Sequence, residues 1–335
     1  MFKFISLRDN NSQNYINFVN KFERSIFYHS IKYKKLLEDL FNVKSNYLIC
    51  KKNDNIEAIL PLVKIEGKYG TVINSLPFFG SNGGVISRCP DATCKLIEFY
   101  NNMLEDSKAT LCSSTIISTP YLNQNISYQY HYIDQRFSQV TDLDSTLINR
   151  IEKSALRNIK KAKKNQIEVT IDNSAFEFLY DSYFNSMKDI AWKLKEKKFF
   201  KLVEKTLIPE VDYDIYVAKM KNKKIACLLV FYFNKTVEYY IPATIKDFLE
   251  FQPLSLILEK AMTQSIKRGY KFWNWGGTWL SQNNVFRFKK KWAAYSMKYN
   301  YFTKVFNKDI LNCDERSIMN EYPYFYVLPF NQIKS

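Results

Sequence analysis

Along this chain the apolar pattern switches between a period of two and a period near 3.6, and it does so in two successive series of similar order. The first reads as strand 3–7, helices 13–27 and 32–41, strands 47–51, 56–65 and 71–75, a helix from Pro90 to about Glu105, and strands 110–118 and 127–133. Thr141-Asp142-Leu143-Asp144 marks a boundary. The second series reads as helix 145–165, strand 167–171, a helical region from Ser174 past Met187, and strands 214–220, 225–233 and 236–243 joined by short polar turns. A helix from Pro253 to Gly269 follows, with proline at its start and glycine past its end, then strand 271–275 into Gly276-Gly277 and strand 295–306. Repetition of this kind predicts an α+β protein of two similar domains, each a mixed twisted sheet flanked by helices, with a cleft between them. The expected domains are 1–143 and 144–312, with 313–335 packing back on the first.

At 46% hydrophobic and 24% charged, the composition excludes disordered, collagenous and small disulfide-stapled classes. The longest uncharged apolar run, 225–233, is nine residues, against about 20 for a bilayer span. No signal-peptide core precedes Arg8 and Asp9. The expectation is a cytoplasmic protein without a transmembrane segment. Six cysteines contain no Cys-x-x-Cys pair, and with only His29 and His131 no zinc spacing can be assembled, so no metal is expected.

A formal charge of +16 favours anionic partners such as nucleic acid, nucleotide phosphates or, by peripheral contact, an acidic membrane leaflet. Lysine makes up most of that surplus, a bias that AT-rich coding drift also produces, so clustering is the better guide. On the predicted helix 145–165, Ile148, Ile151, Ala155, Ile159 and Ala162 form an apolar stripe. Arg150, Lys153, Arg157, Lys160, Lys161 and Lys164 fall in an opposite sector about 100° wide. A merely solvated helix mixes signs; here only Glu152 is acidic. Arg157, Lys160, Lys161 and Lys164 are therefore candidate phosphate ligands. Further cations cluster at 193–201 and at 287–291, the latter among Phe286, Phe288 and Trp292. Rings among cations suit stacking on a base or substrate ring, and the same alternation also suits a half-buried strand.

With only eight glycines, each marks a place where backbone freedom is needed. The most specific arrangement is an ordered set: Tyr239-Tyr-Ile-Pro-Ala243, Gln252-Pro253 with its helix, Phe272-Trp-Asn-Trp-Gly-Gly-Thr278, then Phe288-Lys289-x-x-Trp292-Ala293. Together with Arg157-Asn-Ile-Lys-Lys-Ala162 and, in the first half, Ser75-Leu-Pro-Phe-Phe-Gly-x-x-Gly-Gly84, it resembles the FemAB-like family. That resemblance implies tandem domains of the GCN5-related N-acetyltransferase (GNAT) type and transfer of an aminoacyl or acyl group to an amine. It implies that Lys289 and Phe288 lie at the transfer site, the lysine stabilising the developing oxyanion or, with its pKa lowered by Arg287, Lys290 and Lys291, moving a proton. Tyr240, Asn274, Gly276, Gly277 and Trp279 are the accompanying substrate contacts. Relatives often carry an acid before the glycine pair; Asn274 stands there, which leaves the general base unassigned.

No Arg/Gln-x-x-Gly-x-Gly/Ala pyrophosphate loop occurs. With no tightly bound cofactor expected, the donor is read as aminoacyl-tRNA, so that tRNA is a partner, with acyl-CoA as the alternative. The acceptor is read as an amine of a nucleotide-linked or lipid-linked precursor of peptidoglycan or surface polysaccharide. A third reading, a non-catalytic module binding RNA or an anionic surface, stays open because of Asn274.

Overall fold

The computed structural model describes residues 1–78, 83–119, 128–189 and 193–333, which divide into two units with separate cores. The first unit comprises Met1–Phe22, Tyr28–Ser138 and Met297–Ser335; the second comprises Glu23–Phe27 and Gln139–Ser296. Part of the motif around Gly80 lies outside the described residues, as does the start of the strand expected at 127–133.

In the first unit β1 (Phe2–Ser6) is followed by α1 (Ser12–Asn20) and α2 (Ile31–Phe41), then β2 (Leu48–Lys52) and β3 (Asn55–Leu60). Asn53 and Asp54, both with positive φ, form the tight turn between β2 and β3. The run expected as one strand over 56–65 is two, β3 and β4 (Val63–Gly67), in different sheets. Pro61, which lacks an N–H, stands at the break. After β5 (Gly70–Asn74), β6 (Ile86–Ser87), α3 (Pro90–Asp106) and β7 (Leu111–Ile117), the chain enters β8 (Tyr132–Asp142), a strand longer and later than expected. One sheet has the order β1-β2-β3-β6; β4 pairs antiparallel with β5, which runs parallel to β7. The helix expected over 13–27 stops at Asn20, and Glu23–Phe27 crosses into the second unit.

The second unit begins with α4 (Leu147–Arg150) and α5 (Lys153–Lys164), not the single helix expected over 145–165. Ile151 and Glu152 are extended, and the Glu152 amide donates to the Lys291 carbonyl at 2.9 Å instead of to the helix. Ile148 consequently leaves the apolar stripe and is 48% exposed. Then come β9 (Glu168–Ile171), α6 (Phe176–Met187), α7 (Lys197–Thr206), β10 (Tyr213–Met220), β11 (Lys223–Phe233), β12 (Thr236–Thr244), α8 (Pro253–Lys267), β13 (Phe272–Trp279) and α9 (Asn283–Lys290); β14 (Tyr295–Val305) belongs from Met297 onward to the first unit. The order β13-β12-β11-β10-β9 is antiparallel except for the β12–β13 pair, which is parallel. One face of this sheet packs on α5 and α8 through Ala155, Ile159, Ala162, Leu258 and Met262. The other carries Phe231 and Tyr240 against Phe199 of α7. Alternation of period two along each strand separates the two sets.

Glu23–Phe27 is held to the second unit by ring contacts: Phe27 stacks on Phe231 at 4.5 Å, and the Arg24 guanidinium lies 4.3 Å from the Phe272 centroid. The C-terminal stretch, with α10 (Glu315–Glu321) and α11 (Phe330–Ile333), belongs to the first unit. There the Tyr322 hydroxyl donates to the Gly70 carbonyl at 2.8 Å, and Tyr326 exchanges two hydrogen bonds with the Asn74 side chain.

Candidate active site

β12 and β13 stay in register for three rungs, Thr236–Phe272, Val237–Trp273 and Glu238–Asn274. β12 then continues against β11 as far as Thr244, while β13 runs on to Trp279 without it. Past that last rung, side chains bond to backbone groups of β13. The Gly276 amide donates to Asn274 Oδ1 at 3.0 Å, and Asn274 Nδ2 donates to Glu238 Oε2 at 2.7 Å. Gly276 has φ 72, left-handed backbone that glycine adopts without a Cβ clash.

One residue further on, the Gly277 carbonyl accepts from Lys289 Nζ at 3.1 Å, and Thr278 Oγ1 accepts from the same ammonium at 2.7 Å. Thr278 Oγ1 in turn donates to Gln139 Oε1 at 3.0 Å, and Gln139 Nε2 donates to the Phe286 carbonyl at 3.2 Å. Thr141 Oγ1 accepts from Trp275 Nε1 and donates to the Trp292 carbonyl, at 2.9 and 2.8 Å. These bonds fasten α9 across β13. The helix replaces the strand alternation that 286–291 also allowed, and it turns Lys289 inward while Arg287 and Lys290 remain exposed.

Lys289 is only 4% exposed. Burial pushes its pKa down to about 7, close to balance between ammonium and amine at neutral pH. The depression comes from desolvation, whereas the sequence pointed to repulsion from Arg287, Lys290 and Lys291. Phe288 is half-buried, edge-on to Trp275 with centroids 6.1 Å apart. Gly277 and Trp279 are exposed, so the seat of the ammonium borders solvent on the glycine side. Lys289, Phe288, Asn274, Gly276, Gly277 and Trp279 all lie on β13 and α9. Asn274 is fully buried, its amide engaged with Glu238 and Gly276.

Tyr240 lies on β12 past the last rung, with its ring 4.7 Å from Phe231 and 5.7 Å from Phe199. Lys195 Nζ lies 5.2 Å from that ring and 5.9 Å from that of Tyr183, and burial lowers its pKa to about 7. Sequence reasoning saw Lys195 only as part of a charge cluster. It missed Glu238 altogether, although one acid in the alternation Thr236-Val-Glu-Tyr-Tyr240 was a visible signal. Burial raises the Glu238 carboxyl to about 8.

Arg157, Lys160, Lys161 and Lys164 line the solvent face of α5 opposite buried Ala155, Ile159 and Ala162. The Glu152–Lys291 bond sets the start of this basic helix beside the end of α9, so the two cation clusters adjoin. Among the described residues, no group of three or more His, Cys, Asp or Glu could hold a metal, and no helix is long and apolar enough to cross a membrane.

Residues 204–300, which contain β12, β13 and α9, match the sequence model of the FemAB family. Over that stretch the chain is similar to the FemAB family. Its fold is similar to that of FemX, at 12% identity and TM-score 0.68, covering 92% of this chain and 99% of that one. It is similar to the C-terminal domain of a putative lysylphosphatidylglycerol synthetase from Agrobacterium fabrum, at 9% identity and TM-score 0.58, covering 92% and 96%. A tandem GNAT protein from the clavulanic acid biosynthesis pathway aligns at 7% identity and TM-score 0.54, covering 91% and 99%. No curated protein matches the chain. At such identities the structural likeness establishes the fold, an α+β fold of the tandem GNAT type. The matched segment contains Glu238, Asn274, Gly277, Thr278 and Lys289, and leaves out Gln139 and Thr141, which bond to it from β8.

Proposed function

We propose that this FemAB-like chain is a transferase that moves an aminoacyl group from aminoacyl-tRNA to an amine of a cell-wall or surface-glycan precursor. The observation that carries the reading is the buried ammonium of Lys289, docked on Gly277 and Thr278 at the edge of the parted strands. In the reaction, the acceptor nitrogen attacks the ester carbonyl carbon and the carbonyl electrons move onto oxygen. Collapse breaks the ester C–O bond, forms the amide and returns the ribose hydroxyl, which takes up the proton that the amine gives away. A cation fixed in low dielectric stabilises that oxyanion without reorganising at the moment of reaction. A lysine poised near neutrality also suits the proton transfer. Phe288 and Trp279 offer apolar surface to the substrates, and Arg157, Lys160, Lys161 and Lys164 offer a row of cations to a phosphate backbone. The likeness to FemX and to a lysylphosphatidylglycerol synthetase supports the aminoacyl donor.

The test is transfer of radiolabelled amino acid from charged tRNA to nucleotide-linked and lipid-linked amino-sugar precursors. Product formation lost in Lys289→Met supports the reading; full turnover in that variant removes the lysine from the mechanism. The likeness to a tandem GNAT protein favours a second reading, an acyl-CoA-dependent N-acyltransferase of polysaccharide synthesis. Thermal stabilisation by acyl-CoA and not by tRNA selects it.

A further inference from the structure

Glu238 is a buried acid to which the transfer chemistry above assigns no part. It is 1% exposed, in an interior where a carboxyl is costly unless bonded. It stands on the last rung that β12 and β13 share. Its Oε2 accepts from Asn274 Nδ2 at 2.7 Å, and its carboxyl also receives the backbone N–H of Phe27, from the Glu23–Phe27 segment. An amide side chain has a donor end and an acceptor end, so whatever holds one end aims the other. With Nδ2 committed to Glu238, Asn274 must present Oδ1 to the Gly276 amide, and it does so at 3.0 Å. That amide sits just past the ladder's end, in the left-handed bend at φ 72, and the next carbonyl along is the one that seats Lys289.

We propose that Glu238 is a positioning residue: through Asn274 it holds the Gly276–Gly277 bend in the shape that seats the Lys289 ammonium. The proposal rests on the transferase reading for its biological sense, but the arrangement exists whatever the donor. It also places the acid missing before the glycine pair on the neighbouring strand, one rung across.

Both charge states of Glu238 can accept from Asn274, so the acceptor oxygen matters and the charge does not. The groups around Glu238 are the Asn274 amide and the Phe27 N–H; those around Lys289 are the Gly277 carbonyl and the Thr278 hydroxyl, with Arg287 and Lys290 turned to solvent on α9.

The experiment follows the titration of Lys289 itself. In full-length protein with 13Cε-labelled lysine, the Lys289 resonance is assigned by its loss in Lys289→Arg, and its midpoint is read by NMR. The wild-type midpoint is expected near 7. Glu238→Gln keeps an acceptor for Asn274 and leaves the midpoint within a few tenths of a unit. Glu238→Leu keeps the volume and removes the acceptor; the bend loosens, water reaches the ammonium, and the midpoint rises by a unit or more. Should Glu238→Leu fail to fold, Asn274→Leu breaks the same chain one link later and is expected to give the same rise. An unmoved midpoint in a folded Glu238→Leu or Asn274→Leu variant overturns the proposal, as does a rise in Glu238→Gln equal to that in Glu238→Leu. Because no donor or acceptor is present, a negative result is separate from failure of the transferase reading.

Discussion

Replacing Lys289 by methionine should make the protein more stable while removing its proposed activity. The side chain is buried, and its pKa falls from 10.5 to about 7. Between those two values the unfolded chain holds a proton that the folded chain releases, so the lysine's cost is complete below pH 7 and fades as pH rises towards 10.5. A depression of that size corresponds to about 5 kcal/mol of destabilisation at pH 6. Methionine fills nearly the same volume without the charge but forfeits two hydrogen bonds, a loss of about 2–3 kcal/mol. The net expectation is a gain of about 2 kcal/mol at pH 6. Because the two bonds are lost at every pH, the decisive quantity is the change: the advantage of Lys289→Met should shrink by about 2–3 kcal/mol between pH 6 and pH 9. Urea unfolding of both proteins across that range measures it. An advantage that stays flat with pH, or grows, refutes a charge held out of water at this position.

Other substitutions probe the neighbouring features. Mutating Arg157, Lys160, Lys161 and Lys164 together to alanine should leave the melting temperature nearly unchanged, since all four are exposed. It should flatten the slope of log affinity for tRNA against log salt by roughly three, at about 0.7–0.9 per lost phosphate contact; an unchanged slope removes this face from the binding surface. Gly276→Ala should lower stability by about 1–2 kcal/mol because φ 72 is unfavourable for an L side chain, and it should reduce transfer further than stability alone explains. Arg268→Ala should cost about 2–3 kcal/mol in urea unfolding, because Asp214, 0% exposed, loses its ionic partner and retains the Tyr232 hydroxyl and Asn173 amide as donors.

Much of the second unit is legible from sequence because its strands are long and its turns short. The meander β10–β12 and helix α8 follow directly from period-two runs and from the Pro253 and Gly269 signals. What escapes is whatever depends on a bond to a distant residue. The break between α4 and α5 is set by the Lys291 carbonyl, which no local pattern around Glu152 reveals. The inward turn of Lys289 is equally non-local: Arg287, Lys289 and Lys290 have the same propensities, and only anchoring of α9 through Gln139 and Thr141 decides which is buried. The family-like motif points to Lys289, but its depressed pKa comes from burial and not from the neighbouring cations, and burial is a property of packing. Glu238 was missed because its partner lies on a strand 36 residues away, whereas an acid beside the glycines is a local pattern.

The position of the site follows from sheet physics. Within a ladder every backbone N–H and C=O is spoken for, and there is little left to engage a substrate. Where two neighbouring strands part inside a sheet, groups that would have paired are released while still shielded from water. In this protein Asn274 takes the Gly276 amide and Lys289 the Gly277 carbonyl, both just past the last shared rung. A lysine buried in such a gap loses its water, and with two neutral oxygens and no carboxylate beside it nothing offsets that loss, so its pKa falls. An ion pair would have held the side chain equally well, but it would have raised the pKa and kept the nitrogen charged at every physiological pH. The absence of an acid directly before the glycine pair, which in the sequence reads as a defect, is thus consistent with a lysine tuned to hold or release a proton near neutrality.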